Sequence, residues 1–309
     1  LMIRRPPRST LGVSSAASDV YKRQVLNAGL DLILERSEVP HPGILHMYIH
    51  ALEMSPTPER ALKAADQLFE LCPDVGHLQH MPAHIYVICG QYEDAIRVSR
   101  KAIAADDLYV DVAGRNNFYT TSRCHDLHMM MYASMLAGQF EPAIKAAHAL
   151  RDTLSSDLLS EERPHMAVTL EGYHSTFMHV LVRFGKWQEI IDFPLPNDPK
   201  LYCVSTVMCH YARCVAYSAL GQIEAATKEQ DLFREARTQV PESRLFFNNN
   251  ADDILAIADA MMVGEIEYRK ENYETAFNQL ETAVRLDDNL YYTEPWAWMH
   301  PPRHALGAL

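Results

Sequence analysis

Two pairs of histidines in this chain have the spacing of residues that share one face of a helix. His46 and His50 are four residues apart, and so are His80 and His84. Residues at i and i+4 lie about one turn apart on the same side of a helix. Imidazole suits zinc, copper, iron and nickel. The four histidines therefore predict a site for one divalent transition metal ion (Zn, Cu, Fe, Ni or Mn) between two helices.

Glu53 is the nearest carboxylate on the face that carries His50, about one further turn along the helix. Three roles are open to it: metal ligand, orienting partner of a ligand ring, or general base. The zinc-protease motif requires a glutamate directly after the first histidine, but Met47 stands there. The local motif therefore leaves the role of Glu53 undecided.

A histidine on a half-buried helix face also has an ordinary structural interpretation, in which the ring packs and makes one hydrogen bond. The chain has 15 histidines in 309 residues, and some of them must be of this kind. A Gly-rich phosphate loop, a Gly-x-Ser-x-Gly elbow and a Cys-x-x-Cys pair are absent from the sequence. Hydrolase and nucleotide-binding functions thus have no support, and a non-catalytic protein is favoured over an enzyme.

The composition is that of a folded chain in a reducing compartment. Hydrophobic residues make up 48% and charged residues 22% of the sequence, and no apolar run is long enough to span a membrane. The six scattered cysteines fit small buried hydrophobic residues better than a disulfide framework. We expect a cytoplasmic protein without a membrane span.

Residues 1–24 are rich in Arg and Ser, lack a helical period, and resemble translated sequencing-adapter read-through. We interpret them as a non-native or disordered tail. The formal net charge of the whole chain is −12, and without the tail it falls to about −16. Such an acidic protein is a poor candidate for binding the phosphates of nucleic acid.

A repeated turn signal organises residues 25–309. A turn residue is followed two positions later by an aromatic or apolar residue, and five positions later by a small residue. The turn residues are Pro56, Gly90, Gly138, Gly185, Gly221 and Glu271. The small residues are Ala61, Ala95, Ala143, Ala226 and Ala276, with Ile190 as the exception. Such self-similarity is typical of stacked helix pairs.

This pattern resembles the tetratricopeptide repeat, and several segments are similar to a poorly characterised group of bacterial proteins of that family. The resemblance implies an all-α, right-handed superhelix of antiparallel helix pairs over residues 25–309. The spacings between turn residues are irregular, and we expect the array to be truncated at both ends. The last segment, Trp296 to Leu309, is expected to be the first helix of an incomplete repeat.

The family resemblance also implies which positions line the concave groove of such a superhelix. Histidine recurs ten, six and thirteen residues before successive turn residues, and these offsets lie on the groove side of the first helix. With Glu53 beside them, the expected groove residues are His46, His50, Glu53, His77, His80, His84, His125, His128, Tyr132 and His179.

Two functions are compatible with such a groove. The first is an interaction scaffold that binds a protein, a peptide or a small ligand. The alternative is a metal-dependent enzyme or a metal-binding protein that uses the same histidines. In this family, Lys and Asn at the inner positions clamp a peptide carboxylate. Here His46, His50 and His80 hold those positions, which disfavours that mode of binding.

Overall fold

The computed structural model describes residues 28–32, 35–36, 40–69, 71–162 and 165–309. The predicted tail, residues 1–24, lies outside the described residues. Within them the fold is all-α with very little strand, as predicted. The contacts divide the chain into two compact units, one ending at Gln139 and the other beginning at Phe140. One repeat domain over residues 25–309 stays a prediction.

The first unit is built from five α-helices and a short 3-10 helix after residues 28–32 and 35–36, which are also helical. Its helices are α1 (Pro42–Glu53), a 3-10 helix (Pro58–Ala61), α2 (Leu62–Leu68), α3 (Gly76–Ile88), α4 (Tyr92–Ala113) and α5 (Thr120–Leu136). Helix α3 packs against each of α1, α2, α4 and α5, and α4 also packs against α5. Helix α3 therefore occupies the centre of this unit.

The second unit contains the remaining helices and one small hairpin. Its helices are α6 (Phe140–Thr153), α7 (Ser156–Leu159), α8 (Met166–Ser175), α9 (Phe177–Arg183), α10 (Trp187–Asp192), α11 (Cys203–Ala219), α12 (Ile223–Arg237), α13 (Ala251–Arg269), α14 (Tyr273–Asp288) and α15 (Pro302–Ala308). Strands β1 (Leu245–Phe246) and β2 (Asn249–Asn250) pair antiparallel. The closest partners are α11 with α12 and α13 with α14.

Five of the six predicted turn residues end a helix in the same way. Gly90, Gly138, Gly185, Gly221 and Glu271 all have a positive φ, between 64° and 79°. In each case the amide of the next residue donates to the carbonyl five residues before it, at 2.7–2.9 Å, as in Gln91 to Tyr86. The turn residue itself donates to the carbonyl three residues before it. This is the Schellman arrangement, which favours glycine because it has no Cβ.

Pro56 is the exception among the predicted turn residues. It precedes a 3-10 helix that begins at Pro58, and a proline can neither adopt a positive φ nor donate an amide hydrogen. The turn there is therefore of a different kind.

The small residues that follow the turns are fully buried. Ala61, Ala95, Ala143, Ala226 and Ala276 have no exposed surface, and Ile190 is 1% exposed. A methyl group at these positions allows the second helix of a pair to approach the first closely. Gly264 on α13 shows how close such an approach is, because a Cβ there would lie 2.7 Å from the side chain of Leu280 on α14.

The C-terminal segment differs from the expectation. Trp296 and Trp298 lie in non-helical chain, and the last helix begins only at Pro302. Consecutive prolines at 301 and 302 lack amide hydrogens, so a helix can start there but cannot run through them.

The structure also bears on the cysteines and on membrane-spanning helices. No disulfide joins the six cysteines, which all lie in the described residues, and four of them are buried. None of the helices that the structure describes is long and apolar enough to cross a membrane.

Candidate functional site

Three helices of the first unit bring six histidines together. Helix α1 carries His46 and His50, and α5 carries His125. Helix α3, which packs between these two, carries the other three histidines. These are His77, His80 and His84. Because α3 contacts both neighbours, its histidines can meet rings from either side.

The first triad consists of His46, His50 and His77. One ring nitrogen from each lies within 4.8 Å of the others. The Nε2 atoms of His46 and His77 are 3.1 Å apart, and the ring centroids of His46 and His50 are 4.9 Å apart. The i, i+4 pair of α1 is thus completed by one histidine from the next helix.

The second triad consists of His80, His84 and His125, whose ligand atoms also lie within 4.8 Å of one another. The Nε2 atoms of His80 and His84 are 2.8 Å apart. The ring of His125 lies 4.4 Å from that of His80 and 5.5 Å from that of His84, measured between centroids. The construction is the same as in the first triad: a pair on one helix and a third ring from the next.

Glu53 connects the two triads. Its Oε1 lies 2.8 Å from Nδ1 of His50, and its Oε2 lies 2.7 Å from Nδ1 of His84. An ionised carboxylate accepts a hydrogen from each ring, which fixes the hydrogen on Nδ1 and leaves a lone pair on Nε2. A carboxylate behind a histidine is the usual orienting partner of a metal-ligating ring. This position fits the orienting role, and the ligand role also stays open because a carboxylate oxygen of Glu53 lies within 4.8 Å of ring nitrogens of His50 and His84.

A second carboxylate, Asp126, lies behind the second triad and was not predicted. Its Oδ1 lies 3.0 Å from Nδ1 of His80, without hydrogen-bond geometry. The residue directly follows His125 in a stretch that is otherwise mostly apolar and buried, CHDLHMMMYA. An acidic residue in such an apolar stretch could have indicated a buried carboxylate.

Asp126 is accompanied by Asp106, and both are fully buried. Tyr119 donates a hydrogen bond of 2.6 Å to Asp106. Burial, together with the neighbouring Asp106, raises the pKa of Asp126 well above its usual value. Gly76, at the start of α3, makes room for Asp106, since a Cβ there would lie 2.1 Å from its Oδ1. Two adjacent buried carboxyl groups favour sharing a proton.

Burial also keeps several of the rings neutral. It lowers the pKa of His77 to about 4, with a further contribution from His46. Burial and neighbouring rings lower the pKa of His46, and they lower those of His80 and His125 well below the usual value. Only a neutral imidazole has a free lone pair for a metal ion. These rings are therefore in the ligating form near neutral pH.

The distances within each triad are close to those of a metal site. Three nitrogens bound to one tetrahedral ion at 2.0–2.1 Å would be about 3.3 Å from one another. The ligand atoms of each triad already lie within 4.8 Å, so small side-chain rotations suffice. Three imidazoles leave a fourth position on a tetrahedral ion for water or another ligand.

The remaining predicted residues lie apart from the triads. His128 and Tyr132 are buried further along α5, and neither belongs to a triad. His179 lies in the second unit, fully buried, with its ring 4.7 Å from that of Trp298 and 5.2 Å from that of His300. Burial lowers the pKa of His179 to about 3. His80, His84 and His128 are buried, and their place on a groove wall stays a prediction.

Comparisons with protein-family models, with curated proteins and with solved structures find no match to this chain. The fold and the site therefore describe an all-α protein whose first unit contains two clusters of three histidines.

Proposed function

We propose that the first unit is a transition-metal-binding module that holds two ions, one in each triad. The observation that carries this proposal is the grouping of six imidazoles into two sets of three, each with its ligand atoms within 4.8 Å. The sequence predicted one ion held by His46, His50, His80 and His84. The packing of α3 between α1 and α5 supports two ions instead. Each ion would be bound by one i, i+4 pair and by one histidine of a neighbouring helix.

The chemistry of the donors favours particular metals. Each triad offers imidazole nitrogens only, which suit zinc, copper, nickel and iron better than manganese, an ion that prefers oxygen ligands. The negative charge of Glu53, shared between His50 and His84, offsets part of the charge of the bound ions. Zinc is the simplest probe because it accepts tetrahedral nitrogen coordination and has no redox chemistry.

The test is metal content and zinc titration of the full chain, purified without a polyhistidine tag. We expect about two zinc ions per chain in the wild-type protein. His77→Ala should remove the site of the first triad, and His125→Ala that of the second, leaving about one ion in each variant. His41→Ala is the matched control, because His41 is an exposed histidine of the same unit.

Equal zinc content in the wild-type protein and in both triad variants would contradict the proposal, as would the absence of binding tighter than high micromolar. A helical circular dichroism spectrum confirms that a variant without zinc is still folded.

We also propose that the helix pairs of both units are tetratricopeptide-like. The five Schellman turns and the buried residues five positions after each turn, which are alanine in four cases and Ile190 in the fifth, support this. An interaction scaffold for a protein or peptide stays a prediction. A metal-dependent enzyme also stays a prediction, and the open fourth position of a three-histidine site is compatible with it.

A further inference from the structure

A cavity of about 460 Å³ lies within the second unit, between α6, α8, α9, α11 and the chain that follows α10. Its lining is mixed. Aromatic and aliphatic side chains, including Phe177, Phe193 and Leu195, form one part, and polar groups, including Arg151, His174 and Tyr202, form the other. Its volume is that of a small-molecule site, and such sites combine an apolar surface with a few polar groups that orient the ligand.

Arg151 is the positively charged group of this cavity. Its guanidinium contacts the rings of two neighbouring aromatic side chains, Phe177 and Phe193, at 4.8 Å from each centroid, and the two centroids are 5.2 Å apart. Among the residues that the structure describes, no carboxylate pairs with it; its one polar contact is from Nε to Nε2 of His174, at 3.4 Å. Contacts with aromatic rings favour a guanidinium and restrict its movement. The two terminal nitrogens of Arg151 therefore have no anionic partner.

A hydrogen-bond network engages Glu171, the buried acid of this region, and fixes the protonation state of His174. Glu171 accepts hydrogen bonds from the Oγ and the amide of Ser205, at 2.6 and 2.8 Å, and from the amide of Val204, at 3.1 Å. Because the Ser205 hydroxyl donates to Glu171, it can only accept from Nδ1 of His174, at 2.9 Å. His174 is then neutral and presents a lone pair to Arg151.

Two further acids lie nearby: Asp152, which directly follows Arg151 and whose charge acts on it, and Asp198. Asp198 lines the cavity, but its Oδ1 accepts the amides of Lys200 and Leu201 at 3.1 and 3.0 Å. The wall that carries Phe193 is fixed by Arg213, which donates to the Phe193 carbonyl at 2.6 Å. The cavity is thus built around an arginine that makes no ion pair with the described residues and lies next to apolar surface.

We infer that this cavity binds a small organic carboxylate with an apolar body. The carboxylate accepts hydrogen bonds from the terminal nitrogens of Arg151 in a two-pronged contact, and the apolar body lies against the Phe, Leu and Pro side chains of the lining. A carboxylate matches the planar fork of arginine, and the mixed lining selects against ions that lack an apolar part.

The test uses 3-phenylpropionate as the probe and its neutral amide, 3-phenylpropanamide, as the matched ligand. Both are titrated into the full wild-type chain after removal of metal, followed by calorimetry or ligand-observed NMR. We expect saturable binding of the acid and at least tenfold weaker binding of the amide, a difference of about 1.4 kcal/mol. This comparison requires no variant, so it does not depend on the folding of a mutant.

Two substitutions locate the site. Arg151→Gln should weaken binding of 3-phenylpropionate at least tenfold, whereas Arg234→Gln should leave it unchanged, because Arg234 pairs with Asp259 at the surface of the same unit. Equal binding of acid and amide, unchanged binding in Arg151→Gln, or no saturable binding of the acid to the wild-type chain would each overturn the inference. Metal binding by the triads is measured separately and is unaffected by any of these results.

Discussion

At the scale of single residues, Glu53 is the carboxylate that contacts both triads. Both of its carboxylate oxygens are used, one by His50 and one by His84, and these rings belong to different triads. A buried carboxylate that serves two rings is costly to replace, because each ring nitrogen would lose its acceptor.

We therefore expect Glu53→Gln to weaken zinc binding at both sites, by about 10–100-fold, since loss of an orienting partner has that effect on metal affinity. A glutamine has a single oxygen and cannot accept from both rings. Competition with a chelating dye would measure both affinities. Glu59→Gln, at an exposed acid of the same unit, serves as the control. Unchanged affinity at either site would show that Glu53 does not orient that triad.

Residue types and spacing predicted the members of the cluster but not their grouping. The i, i+4 pairs follow from helix geometry alone, and His77 and His125 were expected beside them. Which ring meets which depends on the packing of α3 between two helices and on side-chain torsions, and neither is encoded in local spacing. Asp126 was missed for the same reason: its contact with His80 spans two helices.

At the scale of helices and turns, prediction from the sequence was most successful. The turn at Gly90, for example, depends on a few neighbouring residues: a glycine for the positive φ, a following amide and a nearby carbonyl. Such local signals are visible in the sequence. The sequence pattern predicted a helix from Trp296, but Pro301 and Pro302 lack amide hydrogens and the helix begins only at Pro302.

Replacing a small residue that follows a turn should destabilise the fold. Ala95 and Ala143 are fully buried, so leucine at either position adds volume to a closely packed interface. We expect a loss of about 1–3 kcal/mol in the free energy of unfolding, measured by urea denaturation. Ala104→Leu is the matched control, because Ala104 is exposed on the same helix as Ala95. If all three variants are equally stable, the helix pairs do not meet at these residues.

Glu271 allows the opposite test, because it is the one non-glycine among the five Schellman turns, with a φ of 64°. A left-handed conformation costs a residue with a Cβ about 1–2 kcal/mol, and the greater freedom of glycine in the unfolded chain offsets about 0.5–1 kcal/mol of this. Glu271→Gly should therefore raise the unfolding free energy slightly, by up to about 1 kcal/mol.

Replacing a glycine at an equivalent turn should have the opposite effect on the free energy of unfolding. Gly221→Ala should lower the unfolding free energy by about 1 kcal/mol, because alanine must adopt the same left-handed conformation. If Glu271→Gly destabilises the protein, the Glu271 side chain makes a stabilising contact that outweighs the backbone strain.

At the scale of the whole molecule, the net charge of −12 favours cations over nucleic acid. Ions that bind the folded state only must stabilise it. At a free zinc concentration 100 times the dissociation constant, each site adds about 2.7 kcal/mol. We expect zinc to raise the melting temperature in calorimetry, and the double variant His77→Ala with His125→Ala to lose this increase. An equal increase in the double variant would place the stabilising ions elsewhere.

The position of Glu53 between the triads also has a magnetic consequence. One carboxylate holds a ring of each triad, and the centroids of His50 and His84 are only 5.5 Å apart, so two bound ions would be close neighbours. In a protein loaded with two Cu(II) ions, each ion carries an unpaired electron, and the two spins would interact through space. The paramagnetic resonance spectrum should therefore be broadened when both triads are occupied. It should sharpen to that of an isolated ion in His77→Ala or His125→Ala.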